Sequence, residues 1–263
     1  MRRFFNTTGL CDPEDHYMVD PLRNHFEEFL SLMGQRQYFT LFAPSQTGKT
    51  TLLSALVKHL NHDGKYVSVL CSMKSAGYPC VSVEDGNSLF IKGLYRSCNT
   101  FLPEALLPPK PDQYAPGPYL IRQYLGDWCQ MLKKPLVILL DEMEVLSDDD
   151  FLNTLLRQLR DGFQTRPHHF PQSIILVGLH DIRASSDNPS VGRGSHFNIK
   201  AKSFFLPVFS REEVRGLLDQ HTHDTGQIFS EEVFEKLYAC SGGQPWLTNA
   251  LAYEIVAEML QND

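Results

Sequence analysis

The feature that most constrains the fold of this chain is a short loop between an apolar segment and a helical pattern. The apolar segment runs from Tyr38 to Phe42, and the helical pattern includes Leu52, Leu53 and Leu56. A strand, a tight loop ending in Gly-Lys-Thr and a helix follow one another in this order in phosphate-binding P-loops. The loop consists of Ala43, Pro44, Ser45, Gln46, Thr47, Gly48, Lys49 and Thr50.

The chemistry of such a loop follows from its backbone. N–H groups of the loop and of the helix N-terminus point into one concavity, where the helix dipole favours an anion. Lys49 would face the β- and γ-phosphates of ATP, and the Thr50 hydroxyl would ligate Mg²⁺. Ala43 replaces the usual first glycine, which costs little if its φ is negative. The alternative is a solvated turn before an amphipathic helix.

The composition is that of an ordinary globular protein. The 263 residues are 42% hydrophobic and 21% charged, which suffices for a core and argues against wholesale disorder. The longest apolar run, Leu136 to Leu140, is too short to cross a bilayer, and Asn6 to Gly9 interrupts any signal-peptide core. Six scattered cysteines form no C-x-x-C pair, which indicates reduced thiols. We therefore expect a cytoplasmic protein.

Strand and helix patterns alternate through most of the chain, which is typical of a parallel sheet with helices on both faces. Three consecutive helical patterns then begin at Ser210, Ser230 and Pro245. We predict an α/β fold: a P-loop NTPase three-layer αβα core with a mainly parallel five-stranded sheet, followed by a small C-terminal helical lid. The core with an N-terminal extension would span residues 1–207 and the lid residues 208–263. The strand patterns lie near 38–43, 66–70, 135–140, 173–179 and 202–208.

A second motif follows the apolar run Leu136 to Leu140, which leads into Asp141 and Glu142. A continuous apolar run is typical of a central parallel strand, and both carboxylates would lie at its carboxyl end. In P-loop enzymes an Asp at this place holds Mg²⁺. The adjacent Glu is placed to polarise the attacking water, a general-base role worth roughly 10²–10⁴-fold in rate. The alternative is an ordinary strand followed by an acidic helix start.

Four stretches, taken in order, resemble a known family. They are the loop from Ala43 to Thr51, the Asp141-Glu142 pair, the segment from Ile174 to Arg183, and the segment from Gly243 to Leu247. The chain resembles prokaryotic AAA-like P-loop ATPases, close to the STAND and archaeal-type ATPase group. Its opening, from Phe5 to Pro13, is similar to that of bacterial AAA-like proteins described only as ATP-binding.

The resemblance implies roles for residues that the two motifs do not reach. Arg183 would sense the γ-phosphate, and Gly243 and Pro245 would form a G-x-P motif where the lid meets the nucleotide. The alternative for Gly243 and Pro245 is a glycine that ends one helix and a proline that starts the next. Ser45 stands where relatives often have arginine, so the contact made by that arginine would be missing.

The sequence thus predicts an ATP-binding, ATP-hydrolysing AAA-like protein that acts as a nucleotide-dependent switch. Lys49 would neutralise phosphate charge, Thr50 and Asp141 would hold Mg²⁺, and Glu142 would activate water. Alternatives are a non-catalytic scaffold gated by ATP or ADP, a small-molecule or nucleotide kinase, and an ATPase helper of a nucleic-acid-processing or defence system.

Besides ATP and ADP, we expect a protein partner or self-association and no membrane. A nucleic-acid partner is left open, and the net charge of −7 does not indicate one. The residues predicted to contact the nucleotide are Ala43, Pro44, Ser45, Gln46, Thr47, Gly48, Lys49, Thr50, Thr51, Gly243 and Pro245.

Overall fold

The computed structural model describes residues 3–74, 82–146, 149–180 and 200–259. The strands are β1 (Phe4–Phe5), β2 (His16–Tyr17), β3 (Tyr38–Phe42), β4 (Val67–Ser72), β5 (Leu136–Asp141), β6 (Ser173–Gly178) and β7 (Lys200–Phe205). The helices are α1 (Phe26–Gly34), α2 (Lys49–Asp63), α3 (Val83–Phe101), α4 (Leu120–Met131), α5 (Asp149–Gly162), α6 (Arg211–Thr225), α7 (Glu231–Ser241) and α8 (Pro245–Glu254). Within the described residues, no helix is both long and apolar enough to cross a membrane.

The main sheet has five strands in the order β4-β5-β6-β3-β7, and every neighbouring pair is parallel. All residues of β5 and β6 are buried, because helices flank the sheet and leave no polar face. The predicted α/β fold with a parallel five-stranded sheet and a helical C-terminal region is confirmed.

Contacts divide the chain into two compact units. The first comprises Met1–Asn24, Pro44–Ala55 and Leu206–Asp263, and the second comprises His25–Ala43 and Leu56–Phe205. The division between core and lid after residue 207 is not tested by this grouping and stays a prediction.

In the second unit an aromatic cluster joins α1 to two neighbouring strands of the sheet. Phe29 of α1 stacks on Phe39 of β3 with ring centroids 5.2 Å apart. Phe204 of β7 meets Phe29 and Phe39 edge-on, at 4.9 and 5.5 Å. The cluster packs β3 against both α1 and the neighbouring strand β7. β3 is the strand that leads into the predicted P-loop.

In the first unit the N-terminal segment packs on the C-terminal helices. Phe5 of β1 and Tyr17 of β2 are buried in one cluster with apolar residues of these helices. The Trp246 indole N–H donates to the carbonyl of Thr7 at 2.8 Å. The parallel pairing of β1 with β2 was not predicted from the sequence, because each strand has only two residues and shows no readable period.

Local signals explain where several helices start and stop. Ser210 and Glu213 form a capping box at the start of α6, and Ser230 caps α7. α7 ends at Gly242 in the left-handed conformation, as is common for glycine after a helix. The left-handed φ of +59° at His25 places the start of α1 at Phe26.

Gly243 offers a test of the packing in the first unit. Its φ is +74°, and a Cβ built there would lie 2.1 Å from the carbonyl oxygen of Phe209. We expect Gly243→Ala to lower the free energy of unfolding by about 2–5 kcal/mol, from left-handed strain plus overpacking. Gly242→Ala is the matched control, since Gly242 has a φ of +56° but nothing within 4 Å of the added Cβ. It should cost about 1–2 kcal/mol. Urea denaturation measures both, and equal losses would contradict the clash.

Candidate functional site

The loop after β3 has the backbone of an anion-binding site. Gln46 and Gly48 have left-handed φ values of +62° and +87°, and α2 begins at Lys49. When left-handed residues alternate with others along a loop, successive backbone N–H groups turn toward one concavity. The first N–H groups of a helix, in addition, have no hydrogen-bond partner within the helix. A Cβ added to Gly48 would meet nothing within 4 Å, so space is open beside the loop. A backbone of this kind is typical of loops that bind a phosphate group.

Side chains of the loop are tied to its own backbone. The Thr47 hydroxyl and the Lys49 ammonium each donate to the carbonyl of Pro44 at 2.8 Å. Thr47 is buried, whereas Ser45 and Thr50 are exposed. The bonds to Pro44 close the loop on itself and hold Lys49 beside it.

Ala43, at the position of the usual first glycine, is buried and precedes the loop. Its N–H donates to the carbonyl of Gly178 at 3.2 Å. Among the described residues, left-handed φ values outside glycine occur at His25, Arg36, Gln46 and Glu142, not at Ala43. An alanine is therefore accommodated there, as the sequence predicts.

The second motif lies at the carboxyl end of β5. Asp141 is the last residue of the strand and is 2% exposed, and its Oδ1 accepts a hydrogen bond from the Glu142 N–H at 2.8 Å. Glu142 has a left-handed φ of +63°. This conformation costs a residue with a side chain on the order of 1–3 kcal/mol and is enriched at functional sites. The left-handed backbone at Glu142 ends the extended run of β5 at Asp141.

Both carboxylate oxygens of Glu142 have partners from β4 and the turn after it. Oε2 accepts from the Ser72 hydroxyl, and Oε1 lies 2.5 Å from the Lys74 Nζ. Hydrogen bonding to Glu142 is the main cause that raises the pKa of Lys74 above its ordinary value. Neither Ser72 nor Lys74 was predicted from the sequence. The only available signal was their place at the end of an apolar strand, since Ser72 is the last residue of β4 and Lys74 lies two residues further on.

The ends of three strands meet at one edge of the sheet. β3, β6 and β5 are parallel neighbours in that order, so Ala43, Gly178 and Asp141 follow or end strands that point the same way. Ala43 continues directly into the loop. The carboxyl edge of a parallel sheet is where open α/β folds bind ligands.

Of the remaining predicted site residues, Gly243 and Pro245 are described by the structure and Arg183 is not. Gly243 is left-handed, and Pro245 is the first residue of α8. Between them lies Gln244, which was not predicted as a site residue. Its Nε2 donates to the carbonyl of Gln46 at 3.2 Å. Contact of Gly243 and Pro245 with a nucleotide stays a prediction. Arg183 lies outside the described residues.

Comparison with known proteins gives the family. The family model described as "AAA domain" matches residues 32–184, which is more than half of the chain and contains both motifs. A search of the curated proteins found no match.

Solved structures share the fold at low sequence identity. The chain is similar to the Walker-type ATPase PABY2304 of Pyrococcus abyssi, with a TM-score of 0.68, 16% identity, and 97% of this chain and 72% of that chain covered. It is similar to ORC2 of Aeropyrum pernix, in ADPNP and ADP complexes, with a TM-score of 0.58, 18% identity and 95% and 66% covered. For Cdc6p of Pyrobaculum aerophilum the TM-score is 0.61, with 15% identity and 95% and 65% covered.

The last two comparisons show that this chain spans slightly less than two thirds of those proteins. Identities below one fifth establish the fold of this chain and not the activities of the neighbours. The family model, in contrast, covers the loop, β5 and the sheet edge described above. The chain therefore belongs to the AAA domain family and has the architecture of an AAA-like P-loop ATPase.

Proposed function

We propose that the protein binds Mg·ATP at its P-loop, hydrolyses it, and works as a nucleotide-dependent switch. The observation that carries the proposal is the backbone of the loop: left-handed residues at Gln46 and Gly48 followed at once by the N-terminus of α2. This arrangement presents several N–H donors to one anion. Family membership supports a nucleotide as that anion.

Individual side chains take roles that suit their chemistry. The Lys49 ammonium, now on the Pro44 carbonyl, would turn to the β- and γ-phosphates. The Thr50 hydroxyl and the Asp141 carboxylate would hold Mg²⁺, which takes oxygen ligands and keeps several waters. Bound Mg²⁺ would neutralise charge on the phosphates. Asp141 suits this role, because it is buried and its carboxylate is oriented by the Glu142 N–H.

Glu142 would accept a proton from the attacking water. In the structure its two oxygens are held by Ser72 and Lys74, so a change in these contacts on nucleotide binding would set how the carboxylate is presented to the attacking water. A base that is held in this way suits a switch whose turnover depends on a rearrangement. The same observation favours the second candidate, a scaffold in which ATP or ADP is bound without hydrolysis.

The net charge of the chain bears on the kind of partner it binds. One neighbour of similar fold is titled as the ORC1 protein of Aeropyrum pernix in complex with DNA. The net charge of −7 in this chain does not favour a nucleic-acid groove, so we propose a protein partner or self-association. Binding to DNA that weakens steeply as salt is added would instead support the nucleic-acid alternative.

Lys49→Ala tests nucleotide binding. A ligand at a hundred times its dissociation constant stabilises the folded state by about 2.7 kcal/mol, so Mg·ATP should raise the melting temperature of the wild type. Lys49→Ala leaves phosphate charge unmatched, and its shift should be far smaller. The control is Lys58→Ala on the exposed part of the same helix, which should keep the full shift. Equal shifts in wild type and Lys49→Ala would show that the P-loop assignment is wrong.

Glu142→Gln separates binding from hydrolysis. The amide keeps the size of the side chain and loses the base, so ATP should still bind while turnover falls on the order of 10²-fold or more. Asp141→Asn should instead weaken the Mg²⁺-dependent part of binding. Glu144→Gln, two residues further on and exposed, is the matched control and should keep turnover. If the wild type shows no turnover with any partner, the scaffold is correct.

The ion pair of Lys74 with Glu142 predicts a pH dependence. Because the pKa of Lys74 is raised in the folded protein, the pair contributes its full stability below the ordinary lysine pKa of about 10.4. The contribution is lost as pH rises through the raised value. Glu142→Gln should return this pKa to the ordinary range, while Glu144→Gln should change it less. NMR titration of the lysine side-chain signals measures both, and an unchanged pKa in Glu142→Gln would contradict the pairing.

A further inference from the structure

The side chain of Gln244 makes two different contacts at the start of α8. Its Oε1 accepts from the N–H of Leu247 at 2.5 Å and so caps the helix. Its Nε2 donates to the carbonyl oxygen of Gln46 at 3.2 Å. Gln46 and Gln244 belong to the same compact unit. One carboxamide therefore joins the first turn of α8 to the P-loop.

The carbonyl that Gln244 contacts belongs to the peptide between Gln46 and Thr47. Peptide groups are planar and trans, so the carbonyl and the N–H of one peptide point in opposite directions. A hydrogen bond that holds the Gln46 carbonyl therefore also sets the direction of the Thr47 N–H. This matters because Gln46 is left-handed, a conformation that surrounding contacts must maintain in a residue with a side chain.

The backbone of Gln244 is itself held on both sides. The carbonyl of Gly243 accepts from the Phe209 N–H at 2.8 Å, and the carbonyl of Gln244 accepts from the Thr248 N–H at 2.8 Å. The N–H of Gly243 donates to the Ser241 hydroxyl at 3.2 Å. A side chain that starts from a fixed backbone and is held at both ends can transmit a positional constraint.

We propose that Gln244 is a positioning residue for the P-loop: its carboxamide holds the Gln46–Thr47 peptide in the orientation that receives phosphate and links this loop to α8. The proposal rests on the proposed function, in which that loop binds the phosphates of a nucleotide. Linkage is reciprocal, so bound nucleotide also tightens the contact between the loop and the start of α8.

Two substitutions separate this role from helix capping. Gln244→Ser keeps a favoured N-cap acceptor but is too short to reach the Gln46 carbonyl, and it adds no charge. Gln244→Ala removes both contacts. Ser230→Ala removes the cap of α7, in the same group of helices but without a contact to the loop, and is the matched control.

Two measurements give the outcome. Amide hydrogen exchange of residues 44–50 without nucleotide should be faster in Gln244→Ser and Gln244→Ala than in wild type, and unchanged in Ser230→Ala. The dissociation constant for Mg·ADP, measured by calorimetry, should rise about three- to tenfold in both Gln244 variants, as expected for one neutral hydrogen bond. Ser230→Ala should melt at a lower temperature while keeping wild-type affinity.

Wild-type exchange and affinity in Gln244→Ser would overturn the proposal and leave Gln244 as a helix cap only. The failure of the proposed function looks different, since wild type would then not bind Mg·ADP and Lys49→Ala would change nothing. In that case the exchange of residues 44–50 still decides whether Gln244 orders the loop: wild-type exchange in Gln244→Ser overturns that role, and faster exchange supports it.

Discussion

Parallel pairing of β3, β6 and β5 is the constraint on which the site depends. Parallel strands end at the same edge of a sheet, so this pairing places Ala43 and Asp141 at one edge. Because β5 and β6 are buried throughout, a slip of one residue in the pairing would exchange the two faces and disrupt packing on both. The register of β4 with β5 likewise sets Ser72 of β4 opposite Asp141 of β5. The position of the chemical groups thus follows from the packing of the sheet.

Two residues with side chains take left-handed conformations in these motifs, Gln46 in the loop and Glu142 after β5. Each has a hydrogen-bonding partner distant in sequence. Gln244 holds the carbonyl of Gln46, and Ser72 and Lys74 hold the carboxylate of Glu142. Unfavourable backbone conformations persist where such contacts over-determine them. Both candidate motifs are therefore stabilised by elements outside themselves.

The similarity to archaeal structures shows how little identity the architecture needs. Identities of 15–18% accompany TM-scores of 0.58–0.68 over nearly the whole chain. Cores tolerate extensive substitution when volume and apolar pattern are kept, so the fold persists while the sequence diverges. Function must then be argued from site residues. In this chain the proposed site residues are Lys49, Asp141 and Glu142 with their contacts.

Local sequence signals determined the P-loop, the apolar strand before Asp141, the alternation of strands and helices, and helix starts such as Ser210 and Ser230. These features depend on neighbours a few residues away, such as a capping hydroxyl or a glycine at positive φ. Ser72, Lys74 and Gln244 could not be found in this way. Ser72 and Lys74 lie 70 and 68 positions from their partner Glu142, and Gln244 lies 198 positions from Gln46. These contacts exist only once strand order and helix placement are set. The sequence thus determined which residues are candidates for the proposed chemistry, and the tertiary structure decided which residues hold them, because long-range contacts leave no periodic pattern along the chain.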